Sequence, residues 1–301
     1  MRQNTVYKSR ERVKRTIGHL DTDQIPIGEI TIADDVVANN SRCSQSSFNE
    51  KLEFLKKLGL DIICLTPKYP LSKGVLPSVQ NFVFPDLKDW VYKTNIFTFA
   101  VIDGVFDWGI KLFGFNKFIT LLNKSPITFM DLTKNIEKLN LQLAAFLIEM
   151  GIDGIIIADD IAYNRGLLVN PVDIRNYIFP SLSLQVEKIN QKGTPVFFHS
   201  DGNTNDIIPD LIEIGFKGLH CIDQNANMDI FNLQSLYGKQ ICLWGNLSVD
   251  DTNRASDLEY LQNLREAILS LSAKKGFILG TSCGIFNGLN LNGLLDIYKS
   301  I

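Results

Sequence analysis

One theme recurs along this chain: a short apolar run, a polar turn, then an amphipathic stretch. The apolar runs are strand-length, carry flanking turn signals and show little alternation, as strands buried on both faces do. They fall at 25–30, 61–66, 96–102, 154–159, 194–199, 218–223, 240–245 and 276–281. Amphipathic runs such as 206–214, 228–237 and 258–273 lie between them. Glycines at 59, 151, 193, 215 and 238 stand where such helices would end, the position that favours a left-handed turn. Eight strands alternating with helices predict a (β/α)8 TIM barrel. It is expected to be a single domain, 1–301, with an N-terminal helix and a helical insertion around 104–149. The alternative, a doubly wound nucleotide-binding sheet, normally places a glycine-rich phosphate turn after its first strand. Here that position reads Thr31-Ile-Ala-Asp-Asp35, and no P-loop occurs elsewhere.

Composition narrows the classes. With 301 residues, 45% hydrophobic and 21% charged, the chain is long enough for one large barrel and has an ordinary globular balance. A net charge of −3 argues against a general nucleic-acid binder. The cysteines, Cys43, Cys64, Cys221, Cys242 and Cys283, are odd in number and widely spaced. They read as reduced thiols in a cytoplasmic protein rather than a disulfide framework. Residues 1–16 are rich in Arg and Lys without the apolar core of a secretory signal. No run reaches the roughly 18–20 apolar residues of a membrane span.

Barrel enzymes carry their chemistry at the C-terminal ends of the strands, so the residues there are the candidates. Pro195-Val-Phe-Phe-His-Ser-Asp-Gly202 ends an apolar run in a histidine, a hydroxyl and a carboxylate. In extended backbone His199 and Asp201 point the same way. The chain has only three histidines, which makes one at a strand end more informative. Asp201 before Gly202 also suits a turn or a helix cap. Asp159 and Asp160 close the fourth run, and adjacent carboxylates there need solvent, a cation or donors. One is expected to face the barrel axis and the other to cap the following segment. Asp160 is the preferred catalytic residue, with Tyr163 as a nearby donor. Asn246 follows the seventh run; Asp223 and Gln224 follow the sixth. Arg165 lies in the fourth loop and Glu29 ends the first run. Asp159, Glu29, Arg165, Asp223 and Gln224 are the substrate-binding candidates. His220 and Cys221 read as packing residues. The insertion carries Phe106, Trp108, Phe113, Phe115 and Phe118, read as an extra packed helix or as the apolar wall of a ligand site.

Several blocks, in order, resemble the uroporphyrinogen decarboxylase superfamily: Ser9-Arg-Glu-Arg-Val13 with Asp23-Gln-Ile-Pro-Ile27, Ala158-Asp-Asp-Ile161 with Gly166-Leu-Leu-Val-Asn-Pro171, His199-Ser-Asp-Gly202, Trp244-Gly-Asn-Leu247 and Gly280-Thr-Ser-Cys-Gly284. The resemblance implies a (β/α)8 barrel. The decarboxylases of that superfamily use an N-terminal Arg-Gln-Ala-Gly-Arg-Tyr pattern, which is absent here. The chain is more similar to the cobalamin-dependent methyltransferases, which hold zinc in a His-x-Cys pattern with a distant cysteine. That resemblance implies His199 and Cys283 as zinc ligands, with Asp201 at the middle position in place of cysteine. A His/Asp/Cys set is chemically able to bind zinc, with Glu29 as a further oxygen donor.

The expected function is therefore a zinc-dependent methyltransferase. It would move a methyl group between a small donor or acceptor and the cobalt of a corrinoid. The chain lacks a corrinoid-binding Asp-x-His-x-x-Gly motif, so the cobalamin would come with a partner corrinoid protein. Two alternatives stand beside it. One is a metal-free, decarboxylase-like lyase on a carboxylated, tetrapyrrole-type substrate, for which Arg42, Lys68, Lys73 and Arg165 are the available cations. The other is a non-catalytic ligand-binding barrel.

Overall fold

The structure, a computed structural model, describes residues 6–301; residues 1–5 of the basic opening stretch lie outside the described residues. Its centre is a seven-stranded parallel sheet. The strands are β1 (Ile62–Leu65), β2 (Phe97–Asp103), β3 (Gly154–Ala158), β6 (Val196–His199), β7 (Gly218–His220), β8 (Cys242–Leu247) and β9 (Phe277–Thr281), neighbours in that order. Between β3 and β6 a short antiparallel hairpin, β4 (Ala162–Tyr163) and β5 (Gly166–Leu167), projects from the strand ends. The sequence predicts a loop around Arg165 here, and the structure forms a hairpin instead. Its four residues of pairing are too few to show a strand periodicity.

The first predicted strand, 25–30, is not a continuous strand. It makes single parallel bridges, Ile27 to Leu279 in β9 and Gly28 to Ile62 in β1. The segment therefore touches both edges of the sheet, which curls until the two edges meet it. The Gly28 amide donates to the Leu279 carbonyl (2.9 Å) and the Leu279 amide to the Pro26 carbonyl (3.0 Å). The ladder then stops for a visible reason. The next acceptor, the Gly28 carbonyl, takes the Trp244 indole N–H (3.0 Å). The next donor, the Thr281 amide, turns to the Glu29 carboxylate (3.3 Å). Side chains have replaced the backbone partners that would have extended the pairing.

Alternation along the strands separates two cores. Ile62, Phe97, Phe99, Val101, Ile156, Phe197, Cys242, Trp244 and Ile278 point inside the curl and pack with Val13. Ile63, Leu65, Ala100, Ile102, Ile155, Ile157, Val196, Phe198, Leu243 and Leu279 face the surrounding helices. Burial on both faces is why these runs read as nearly continuous apolar strands. The helix Ser9–Ile17 places Val13 on the inner core. Its buried Arg12 binds Asp61 (2.5 Å) and Asp23 (2.8 Å), and Asp61 in turn accepts the Ile27 amide (3.2 Å). A buried guanidinium needs such pairing. Here the pairing ties helix, bridging segment and β1 together.

The expected insertion is three helices, Val105–Phe113, Phe115–Lys124 and Pro126–Glu149. Phe106, Trp108 and Phe118 are fully buried and Phe115 is exposed. The aromatic patch is therefore mostly packing within this layer. Among the described residues, no helix is long and apolar enough to cross a membrane.

The seam around the bridging segment depends on two residues without side chains. A Cβ at position 280 would lie 2.1 Å from the Gly28 carbonyl oxygen and 2.7 Å from Trp244 Nε1. Gly280→Ala is expected to lower stability by about 1–3 kcal/mol through overpacking, measured by urea unfolding. A midpoint equal to that of the parent would show that the seam is looser than described.

Candidate functional site

The carboxyl ends of β3 and β6 are stapled together by backbone and side chain. The Asp159 amide donates to the His199 carbonyl (2.8 Å), and the Ile161 amide to Ser200 Oγ (3.2 Å). The Asp201 amide donates to Asp160 Oδ1 (2.8 Å), and the Asn203 amide to the Tyr163 carbonyl (2.9 Å). Gly202 lies under the hairpin with φ +85°, and a Cβ there would meet the Tyr163 amide nitrogen at 2.6 Å. Only glycine meets both conditions, the left-handed backbone and the contact.

This stapling brings Asp160, His199 and Asp201 together, with one donor atom from each within 4.8 Å of the others. His199 Nε2 lies 4.0 Å from Asp160 Oδ1 and 4.0 Å from Asp201 Oδ1. His199 is largely buried, whereas the Asp160 and Asp201 side chains are 48% and 69% exposed. Tetrahedral zinc with bonds of about 2.0–2.2 Å needs donors roughly 3.3–3.5 Å apart. The exposed Asp201 carboxylate has the freedom to move toward His199, while Asp160 Oδ1 is held by the Asp201 amide. Charge favours a cation as well. Burial raises the Asp201 pKa, His199 opposes that shift, and Asp160 and Asp223 raise it further by repulsion. Burial, then Asp160, pushes Asp107 up to about 6. A bound cation would relieve this mutual repulsion.

Asp159 and Asp160 divide their roles, as adjacent strand-end carboxylates must. Asp160 faces His199. Asp159 is buried, and its Oδ1 accepts the Phe106 (2.6 Å) and Asp107 (3.0 Å) amides. It thus caps the helix Val105–Phe113, which follows the neighbouring strand β2, and not the segment that follows its own strand. Burial and the Asp107 charge hold its pKa well above the usual range. This placement is that of a capping group, not of a side chain open to substrate.

The other expected residues are spread around the same end of the sheet. Tyr163 and Arg165 are exposed on the hairpin, and Asn246 is half-buried in β8. Asp223 accepts the Asn225 amide (2.9 Å) at the start of a short helical turn, and Gln224 is exposed. Cys283 is exposed after β9 and stands outside the Asp160–His199–Asp201 group. Glu29 is 1% exposed. Its oxygens take the Thr281 hydroxyl (2.6 Å) and the Tyr298 hydroxyl, which leaves it no open face. A cavity of about 400 Å³ lies beside this end of the sheet, lined by Thr31, Cys64, Thr66, Lys68, Trp90 and Phe286 among others; Asp160, His199 and Asp201 do not line it.

Two residues escaped the sequence reading. Asp107 reaches the site from the first turn of the helix after β2, where its carboxylate accepts the Asp160 amide (3.3 Å). His220, read as packing, is in β7 directly beside His199. Its Nδ1 lies 2.8 Å from His199 Nδ1. The signal available in the sequence was a second histidine near a strand end.

Comparison with known proteins shows the family and the fold. Residues 98–295 match the uroporphyrinogen decarboxylase (URO-D) family. A methyltransferase from Methanosarcina mazei has a similar structure, with TM-score 0.77 and 15% identity over 98% of both chains. A protein described as a vitamin-B12 independent methionine synthase, from Listeria monocytogenes, gives TM-score 0.58 and 9% identity over 92% of this chain and 96% of that one. At such identities the likeness is one of fold. No curated protein matches the chain in sequence.

Glu29 gives the site end of the sheet a pH signature. Burial pushes its pKa from 4.5 up to about 7, against the pull of Thr281 and Tyr298. Between those values the folded state holds a proton that the unfolded chain has released. The Glu29 contribution is thus complete below pH 4.5 and is lost as pH rises through about 7. Glu29→Gln is expected to flatten that part of the profile. Urea midpoints of both proteins across this range check it; parallel profiles would mean that Glu29 is ionised throughout.

Proposed function

The chain belongs to the uroporphyrinogen decarboxylase family, and we propose that it is a zinc-dependent methyltransferase working with a separate corrinoid protein. We read the sheet as a complete (β/α)8 barrel in which the bridging segment 26–28 stands as the eighth strand. The observation that carries the functional reading is the Asp160–His199–Asp201 donor set at the strand ends. A methyltransferase fold neighbour at TM-score 0.77 supports it.

Asp160, His199 and Asp201 would hold the metal, with Cys283 the added ligand that the resemblance implies. Bound zinc would supply Lewis acidity toward a thiol, or toward the oxygen of an ether or amine-linked donor. With one thiolate or none, this set is harder than a two-thiolate set, which suits oxygen at least as well as sulfur. The chain's own residues do the rest. The Asp201 amide fixes the Asp160 carboxylate, so Asp160 keeps its place whether or not a cation is bound. Tyr163 and Arg165 on the exposed hairpin, and Asn246 in β8, provide donors for orienting a small methyl donor or acceptor. Alignment with a cobalt-bound methyl group requires docking at this end of the sheet, and the hairpin is the element that projects there.

The charge of the site speaks against the lyase alternative. Asp107, Asp159, Asp160, Asp201 and Asp223 lie there, and after burial the neighbouring carboxylates push Asp107, Asp159 and Asp201 up. Lys111, whose charge acts on Asp107, is bound to Asp103 (2.7 Å). A polycarboxylate would meet repulsion where it needs cations.

Metal analysis after zinc supplementation tests the proposal. About one zinc per chain is expected, lost in His199→Ala and strongly reduced in Asp201→Asn. Cys283→Ala reports whether the thiolate joins the set. The zinc-loaded protein is then expected to exchange methyl groups with methylcobalamin. Absence of bound metal in the parent protein would overturn the zinc mechanism.

A further inference from the structure

We infer that His220 is a positioning residue: it fixes His199 in the tautomer that carries its proton on Nδ1 and leaves Nε2 bare toward Asp160 and Asp201. The inference rests on the metal-binding reading above for its purpose, but the tautomer itself can be measured without metal.

The two imidazoles are partners across paired strands, His199 in β6 against His220 in β7. Their Nδ1 atoms are 2.8 Å apart, a hydrogen-bond distance that admits one proton between them. Two neutral arrangements are therefore possible. If His220 donates, the remaining His199 proton sits on Nε2, where it blocks that atom as a ligand. If His199 donates, Nε2 carries a lone pair and faces the two carboxylates. Metal-bound histidines ordinarily donate their other ring N–H to a fixed acceptor, which sets tautomer and orientation. His220 is placed to be that acceptor.

Its surroundings suit the role. The side chain is fully buried, and an uncompensated charge there is costly, so the ring is neutral and able to accept. The His220 ring is held edge-to-face against Trp244, centroids 5.0 Å apart and planes at 72°. Trp244 is itself anchored by its indole bond to the Gly28 carbonyl. With His220 Nδ1 accepting, its own proton sits on the buried Nε2, and interaction with the Thr281 backbone favours a ring that carries it. The chain has only three histidines, so each ring can be followed separately.

Selective 15N-histidine labelling and long-range 1H–15N correlation of the metal-free protein read the tautomer directly, at a pH where His199 is neutral. Nδ1–H on His199 is expected in the parent protein. His220→Phe keeps a buried ring and removes the acceptor; it should shift His199 toward Nε2–H and weaken zinc binding by about 10–100-fold in a chelator competition titration. His220→Gln, which can accept the same hydrogen bond, should restore most of that affinity. An Nε2–H tautomer in the parent protein would overturn the inference, and so would equal zinc affinity in His220→Phe. A parent protein that binds no zinc sinks the functional proposal instead, and the spectrum still decides the tautomer. Should His220→Phe fail to fold, the parent spectrum and His220→Gln are sufficient.

Discussion

A parallel sheet that curls upon itself leaves an interior that water cannot be allowed to occupy, and here aromatic rings fill it. Phe97 packs on Phe99 at 4.8 Å between centroids, Phe99 on Phe197 at 5.0 Å, and Phe99 on Trp244 at 5.7 Å. The series does not stop at the apolar core. Trp244 packs on His220 at 5.0 Å and His220 on His199 at 4.9 Å. The rings that make the curled sheet solid thus lead, residue by residue, to the imidazole at its open end. Close packing in protein interiors transmits small displacements rather than absorbing them. His199 is therefore as well fixed as the core beneath it.

Trp244 also explains the irregular seam. Its indole takes the carbonyl that a regular eighth strand would have used, and Glu29 takes the matching amide. Tryptophan and glutamate side chains take over where backbone pairing ends. The glycines at 28 and 280 leave the room that the indole needs, since a Cβ on either would crowd Trp244.

The sequence showed some of this plainly and hid the rest for identifiable reasons. Seven strands announced themselves because both faces are buried, which writes a continuous apolar run. The first run, 25–30, was legible as apolar, but its broken pairing depends on the Trp244 indole and the Thr281 amide, both more than 200 residues away. His199 and Asp201 were visible because a strand end and alternating side-chain direction are local properties. Asp160 was visible as the catalytic member of its pair, but what Asp159 would cap was not. That choice depended on the Phe106 and Asp107 amides, supplied by a helix more than 50 residues earlier in the chain. His220 was hidden in the same way, since its meaning comes from the register of β7 on β6. Cys283 was placed among the ligands by resemblance alone, and in the structure it stands apart from the three gathered donors.

The stapling of the two strand ends has one further consequence. At position 201 the backbone does the holding: the amide binds Asp160, and glycine follows to admit the hairpin. The side chain at 201 bears none of that load and is mostly exposed. An exchange of carboxylate for thiolate there would leave the scaffold as it is while altering the hardness of the donor set. Position 201 thus separates two demands that usually conflict, since the main chain carries the architecture and the side chain is left free to vary in chemistry.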